Sequence, residues 1–469
     1  MAGLVTGVWY EKISHMPSLS LALYSLLMWC AQPILRMKLM LRGRQERGYL
    51  TQIEERFGHY SHLNNQLKFE HPPSDQPLVW VHAVSLGETR AAAVLVAELR
   101  KRIPGMRLLL TNGTATGRAE GETLLQAGDV QVWQVWDTPF AVKRFLNYFQ
   151  PSLGILMETE LWPNMAQQCA ARRIPLAIAN ARMSEKSFRA TNQFAWLAQP
   201  AYQSLAAVWA QSEDDAKRFA MLGAQQVEVQ GNLKFDAEVD ATKLELGRTL
   251  SAAHTIIMLA SSREGEEAAL LQSIQKYMEN KPVDGINAAY SATKNVANDE
   301  NVAWLIVPRH PQRFEVVAQL IESHGFKVAR RSQWQGDEMP NLQSMLDGKT
   351  ILLGDSLGDM ALYYGMSDVA LLGGSFEPLG GQNLIEAAAC ACPVVMGPST
   401  FNFAEAAHLS LQAGASVQVN TMQQGVQAAL EWVQNAEALQ HAQAAAAKFA
   451  TAHQGAAAKT AQAVVKLLH

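Results

Sequence analysis

Glu88 and Glu158 are the side chains in this sequence best placed to move a proton, because each follows closely on a short apolar run. Glu88 closes the stretch His82-Ala83-Val84-Ser85-Leu86-Gly87-Glu88, where Gly87 permits a tight turn before a helix. Glu158 and Glu160 leave the end of the run Leu153 to Met157, and Trp162-Pro163 stiffens the turn after them. Two carboxylates at the ends of separate strands resemble an acid/base pair, one taking a hydroxyl proton while the other shapes the field. A carboxylate in the first turn of a helix also stabilises the helix dipole by about 0.3–1 kcal/mol, so spacing alone leaves both readings of Glu88 open.

The remaining candidates suit phosphate. Lys234, in Gly231-Asn232-Leu233-Lys234-Phe235-Asp236, could neutralise a leaving phosphate or be a solvated loop lysine. Arg309 follows Pro308 after an apolar run, and its planar fork fits phosphate or carboxylate. Residues Gly373 to Glu386 read Gly-Gly-Ser-Phe-Glu-Pro-Leu-Gly-Gly-Gln-Asn-Leu-Ile-Glu. The glycines let backbone approach a ligand, and the amides opening a helix expected over Asn383 to Ala391 favour phosphate. Glu386 could then take ribose hydroxyls. The spacing is not G-x-G-x-x-G, which weakens a nicotinamide reading. Asp355 and Asp359, in Gly354-Asp355-Ser356-Leu357-Gly358-Asp359-Met360, could hold Mg2+, but no D-x-D pair accompanies them and no metal is expected. His82 and His310 read as hydrogen-bonded structural histidines.

The elements that must position these groups alternate. Pro77 to Ala83, Arg107 to Thr111, Leu153 to Met157 and Leu176 to Ala179 read as strands, with amphipathic stretches such as Glu88 to Arg102 between them. The pattern pauses near Gly231 to Leu250. It resumes with Thr255 to Ala260, Trp304 to Val307, Ile351 to Leu353, Val369 to Leu372 and Pro393 to Met396. Strand–helix alternation argues for parallel sheets covered on both faces, here two doubly wound domains facing each other across a cleft. Ligands of such sheets sit outside the carboxyl ends of the strands, where the candidates above fall. Lys281 to Glu300 reads as an exposed insertion, and the part beyond Gln434 as helical.

The chain has 469 residues, 48% apolar, enough for two domains. Its 39 basic and 43 acidic groups leave no strongly basic domain, so nucleic acid is not an expected partner. Cys30, Cys169, Cys390 and Cys392 show no zinc-like spacing and read as free thiols in a reducing compartment. No Asp, Glu, Lys or Arg occurs between Lys12 and Arg36, and Arg36, Lys38, Arg42, Arg44 and Arg47 follow at once. An apolar stretch of that length, against the roughly 20 residues a span needs, reads as a membrane anchor with the following domain on the cytoplasmic side. Spanning and interfacial placements both remain open. There is no G-x-S-x-G, H-E-x-x-H or Walker sequence, which removes the usual supports for hydrolase, zinc-protease and ATPase readings.

Taken together, the motifs at 82–88, 157–164, 178–187 (Ile-Ala-Asn-Ala-Arg-Met-Ser-Glu-Lys-Ser), 231–236, 307–314, 354–360, 373–383 and 396–403 (Met-Gly-Pro-Ser-Thr-Phe-Asn-Phe) resemble the 3-deoxy-D-manno-octulosonic acid (Kdo) transferases of lipopolysaccharide assembly. The similarity runs in order from the anchor to about residue 410. It implies a GT-B α/β fold, two facing Rossmann-like domains with an N-terminal membrane-anchor helix. The segments would be an anchor and basic juxtamembrane stretch (1–48), an acceptor-binding domain (49–235) and a CMP-Kdo-binding domain (236–469). It further implies inverting transfer of Kdo from CMP-Kdo to lipid IVA, without a metal or other cofactor, at the cytoplasmic face of the inner membrane among anionic lipids. On the matching positions Glu88 would be the general base, with Glu158 and Lys234 stabilising the transition state. Pro308, Arg309, Leu357, Gly358, Asp359 and the helix start Asn383, Leu384, Ile385 and Glu386 would hold the nucleotide.

This sequence departs from the family pattern in places. Gly358-Asp359 stands where Gly-Glu is usual, Gln382 where His is usual, Leu384-Ile385 where Pro-Leu is usual, and Ser261-Ser262-Arg263 where Ser-Thr-His is usual. Asp is a methylene shorter than Glu, which puts the contact at position 359 in question. Two other functions fit the residues without the resemblance: a GT-B transferase using a UDP-sugar, and a membrane-tethered two-lobed solute-binding protein.

Overall fold

The computed structural model describes residues 19–66, 76–252, 254–279, 302–334 and 349–468. The expected insertion at Lys281 to Glu300 lies outside them. The chain divides after Asp236 into two compact units, and the residues from Gln454 onward return to the first.

The first unit is built on a seven-stranded parallel sheet of β1 (Leu78–His82), β2 (Arg107–Asn112), β3 (Val130–Trp133), β4 (Leu153–Met157), β5 (Leu176–Ala181), β6 (Ala207–Ala210) and β7 (Val227–Val229). Their order is β3-β2-β1-β4-β5-β6-β7. The chain therefore reverses its direction of travel between β1 and β4, and a crevice opens at such a switch point. All five residues of β1 are buried, because helices cover both faces of the sheet. Side chains alternate across it. Leu78 and Trp80 pack with Phe145 and Phe149 on one side. Val79, Val81 and Ala83 pack with Leu95, Leu99, Ala461 and Val464 on the other.

The helix Ala456–Leu468 thus belongs to the first unit, a correction to the placement of residues 454–469 in the second domain. Asp236 supplies the reason, since its carboxylate accepts from the amides of Gly455 and Ala457, capping that helix at the point where the chain first leaves the unit.

The second unit carries β8 (Thr255–Ser262), β9 (Val302–Pro308), β10 (Lys327–Arg330), β11 (Thr350–Leu353), β12 (Val369–Leu372), β13 (Val394–Met396) and β14 (Ser416–Gln418). These are again all parallel, in the order β10-β11-β9-β8-β12-β13-β14. Its switch point lies between β8 and β12.

Ahead of the first sheet runs the helix Leu19–Gln45, long and apolar enough to cross a membrane. One face of it docks on the first unit. The Ser25 hydroxyl donates to Asn164 Oδ1 at 2.9 Å, and the Tyr24 hydroxyl donates to buried Asp137. Further along, the Arg36 guanidinium lies 4.2 Å from the centre of the Phe57 ring, and Leu39 and Gly43 are buried. On the outer side Leu23, Leu26, Leu27, Trp29, Ile34, Met37 and Leu41 are at least half exposed.

Candidate active site

At the first switch point the chain leaving β1 turns into the helix Leu86–Arg102, capped by Ser85. The Ser85 hydroxyl oxygen accepts from the Glu88 amide at 3.3 Å, and Glu88 Oε2 reaches back to the Val84 amide at 2.8 Å. The Ser85 hydroxyl donates to Glu88 Oε1 at 2.9 Å. This is a reciprocal cap of the S-x-x-E kind, shifted by one residue on its return bond. The capping reading of Glu88 holds: the carboxylate caps the helix and is fixed in orientation by doing so. Each oxygen keeps a lone pair beyond these bonds. Burial pushes the Glu88 pKa up to about 7, opposed by the Val84 amide and reinforced by the negative charges of Glu158 and Glu160.

Glu158 follows β4 with φ of +61°, a left-handed conformation that costs a non-glycine residue about 1–3 kcal/mol. Its amide donates to the Ala179 carbonyl, and its own carbonyl accepts from Arg182, so neighbouring β5 holds the strained turn. Glu158 Oε1 then meets Lys234 Nζ at 3.2 Å. Lys234 sits on a short 3-10 turn, Leu233–Asp236, anchored where Asn180 Oδ1 accepts from the Leu233 amide at 3.0 Å. Asn180 is itself left-handed, with φ of +53°. Its part in placing Lys234 was visible in the sequence only as one residue of the 178–187 motif. Glu160, beside Glu158, also has its pKa raised by burial. His82 is the structural histidine expected: its Nδ1 lies 2.7 Å from the Thr111 hydroxyl, and burial lowers its pKa to about 4.

In the second unit the candidates share the carboxyl edge of the sheet. Pro308 ends β9 and is buried, and the Arg309 amide donates to Ser262 at the end of β8. Leu357 and Gly358 are exposed in the loop after β11, Gly358 with φ of +78°. Asp359 is engaged within its own unit. Lys243 Nζ contacts its carboxylate and the Gly358 carbonyl, both at 2.8 Å, and the Ser356 hydroxyl donates to it at 2.6 Å. Burial works against ionisation of Asp359, yet the bonds from Lys243 and Ser356 leave its pKa below the usual value.

The helix after the glycine-rich turn is shorter than Asn383 to Ala391. It spans Leu384–Ala389, with Asn383 as N-cap accepting from the Ile385 amide. Leu384 and Ile385 point into the core, which leaves to a ligand their backbone and the side chains of Asn383 and Glu386. The turn is stitched from inside. Buried Glu266 accepts from the amides of Arg263, Gly374 and Phe376 at 2.9, 2.7 and 3.1 Å. Gly373 is required there, since an added Cβ would lie 2.3 Å from the Ser261 carbonyl oxygen. Glu266 was not singled out from sequence; its only signal is an acidic pair directly after Gly265.

Among the described residues there is no group of three or more His, Cys, Asp or Glu able to hold a metal ion. The cysteines there are free.

A profile of the 3-deoxy-D-manno-octulosonic-acid transferase (kdotransferase) family matches residues 51–237. The chain is 41% identical over 392 residues to the 3-deoxy-D-manno-octulosonic acid transferase of Bordetella pertussis, covering 81% of this chain and 85% of that one. It is 31% identical over 420 residues to the Haemophilus influenzae enzyme of the same name, covering 88% and 90%. A crystal structure of a glycosyltransferase from Rickettsia africae superposes with a TM-score of 0.53 at 14% identity, covering 84% of this chain and 99% of that one, which supports a GT-B-like α/β fold. With sequence similarity that extends through both units at this level, the chain belongs to the 3-deoxy-D-manno-octulosonic acid transferases and is a glycosyltransferase.

Proposed function

We propose that this enzyme transfers Kdo from CMP-Kdo to a hydroxyl of the lipid A precursor, lipid IVA. The observation that carries the chemistry is the group at the first switch point: a carboxylate fixed by a helix cap, with its pKa raised to about 7, beside a second carboxylate paired to Lys234. A base with a pKa near the working pH combines a usable ionised fraction with enough basicity to accept a proton. Glu88 takes the hydroxyl proton of the acceptor as that oxygen bonds to the anomeric carbon of Kdo. The bond from that carbon to the cytidylate phosphate breaks with inversion, and CMP leaves with the electron pair.

Lys234, Arg309 and the amides of the glycine-rich turn match the need of the departing phosphate for positive charge and donors set in advance. Leu357 to Asp359 and Asn383 to Glu386 serve the nucleotide. With Asp359 held by Lys243, this loop would meet the nucleotide through its backbone.

The apolar helix Leu19–Gln45 and the basic residues at its end favour work at the cytoplasmic face of the inner membrane, where anionic lipids would attract that basic end at about 1 kcal/mol per charge near the surface. Contacts to the globular unit recur from Tyr24 to Gly43, so lipid reaches one side of the helix only. That one-sided docking favours a place in the interface over a span of the bilayer.

Mass spectrometry of lipid IVA incubated with the purified enzyme and CMP-Kdo is expected to show added Kdo with release of CMP, and CMP should inhibit where UDP does not. Product formed from UDP-sugars in place of CMP-Kdo would overturn the assignment.

A further inference from the structure

Beyond β4 the segment Thr159 to Pro163 faces the helix Ala195–Gln203, and between them lies a cavity of about 300 Å³. Leu161, Trp162, Phe194, Leu197, Ala198 and Tyr202 form most of its wall. We infer that this pocket receives one acyl chain of the lipid acceptor. The inference rests on the transfer reading above and assigns the site that reads the acceptor's lipid portion.

Three observations converge on that occupant. The first is position. Glu160 lines the pocket, two residues beyond Glu158, and its charge reaches Glu88, so a chain seated here belongs to a molecule whose head lies near the proposed base. The second is continuity with the apolar surface of the anchor helix. The helix Ala195–Gln203 supplies one wall and Pro163, which opens the helix Pro163–Ala171, part of the other; both helices touch the anchor helix, whose Ser25 is bonded to Asn164 of Pro163–Ala171. Phe194 on the pocket wall and Trp196 beside it are more than half exposed, an apolar rim that soluble partners would leave wet. The third is size. At the ~30 Å³ that a water molecule takes up in the liquid, and a methylene is similar, the cavity holds about ten such groups, one chain rather than a set.

The full-length enzyme in mixed micelles tests this with two acceptors, the acylated disaccharide bisphosphate and its fully deacylated form. Ala198→Trp, which fills the cavity, is expected to lower the ratio of kcat/KM for acylated over deacylated acceptor by about tenfold or more, mostly through KM, since each lost methylene contact is worth several-fold in binding. An unchanged ratio would overturn the inference. A second measurement uses the native protein and needs no turnover: an acceptor with a diazirine near the end of an acyl chain should crosslink to residues 191–202. Crosslinks confined to residues 19–45, or equal labelling by a diazirine-bearing phosphatidylethanolamine, would show a general lipid surface instead and sink the pocket. Native enzyme that transfers sugar to neither acceptor counts against the transfer reading itself, while the crosslink still decides the pocket.

Discussion

Glu88 caps its helix, and the base role proposed for the same carboxylate conflicts with that burial in a way that makes it measurable. Burial holds its pKa near 7, well above an ordinary glutamate, so the ionised form needed of a base is the one the fold penalises. Activity should therefore fall as pH drops through about 7. Glu88→Gln keeps an oxygen to accept from Val84 and so preserves the cap. It should lose about 10²–10⁴-fold in kcat while CMP-Kdo binding survives, and a variant retaining a tenth of native turnover would exclude the base role. Linkage adds an independent check. With the folded pKa raised, the contribution of Glu88 to stability is full below the ordinary glutamate range and is lost as pH rises through about 7. The melting temperature of Glu88→Gln relative to the native protein should thus be higher at pH 8 than at pH 5. Glu158→Gln removes a like charge from the neighbourhood of Glu88, so the acid limb of the pH–rate profile should move to lower pH, and an upward move would contradict the arrangement. Sequence made the carboxylates legible because each stands just past an apolar run. It could not show Asn180 fixing Lys234 or Lys243 occupying Asp359, since such bonds join residues 53 and 116 positions apart.

At the level of elements, the anchor helix has the sharpest prediction. Its docked side returns at Leu21, Ser25, Leu39 and Gly43, spacings of one helical face, over a length of roughly 30 Å at about 1.5 Å per residue. A spanning helix would need lipid on all sides. Environment-sensitive probes at positions 23, 30 and 37 in native-like vesicles should report similar shallow depths, whereas a deep centre between shallow ends would establish a span. The strands show what pattern can and cannot reveal. Leu153–Met157 and Val369–Leu372 stood out because they are buried on both faces and read as continuous apolar runs. The four edge strands, Val130–Trp133, Val227–Val229, Lys327–Arg330 and Ser416–Gln418, did not, because they are short and mix polar with apolar residues. Inner β6, Ala207–Ala210, escaped notice for its brevity and its alanines. The glycine-rich turn was legible as a tight turn of closely packed backbone. The six-residue length of the helix after it was not, because Cys390-Ala391-Cys392 continues an apolar pattern through a turn where Ala391 is left-handed.

At the scale of the whole molecule, the chain crosses from the first unit to the second and back, and the return depends on one helix. Composition alone places an alanine-rich tail with its sequence neighbours, as the boundary 236–469 did. Only the pairing of Asp236 with the amides of Gly455 and Ala457 shows that the exit and re-entry points are tied together. The face carrying Ala457, Ala461 and Val464 closes one side of the first sheet against Leu95 and Leu99. Ala461→Glu would force an unpaired carboxylate into a fully buried site more than two hundred residues, in sequence, from the strands it covers. The cost should be on the order of 3 kcal/mol, with a fall of about 10 °C in the melting transition of a unit this size. Calorimetry is the appropriate measurement, because two units with separate cores can melt separately. The transition of the first unit should drop while that of the second, which excludes this helix, stays in place and keeps its response to CMP. If both transitions fall together, the two units form one cooperative body, and the helix stabilises more than the sheet it covers.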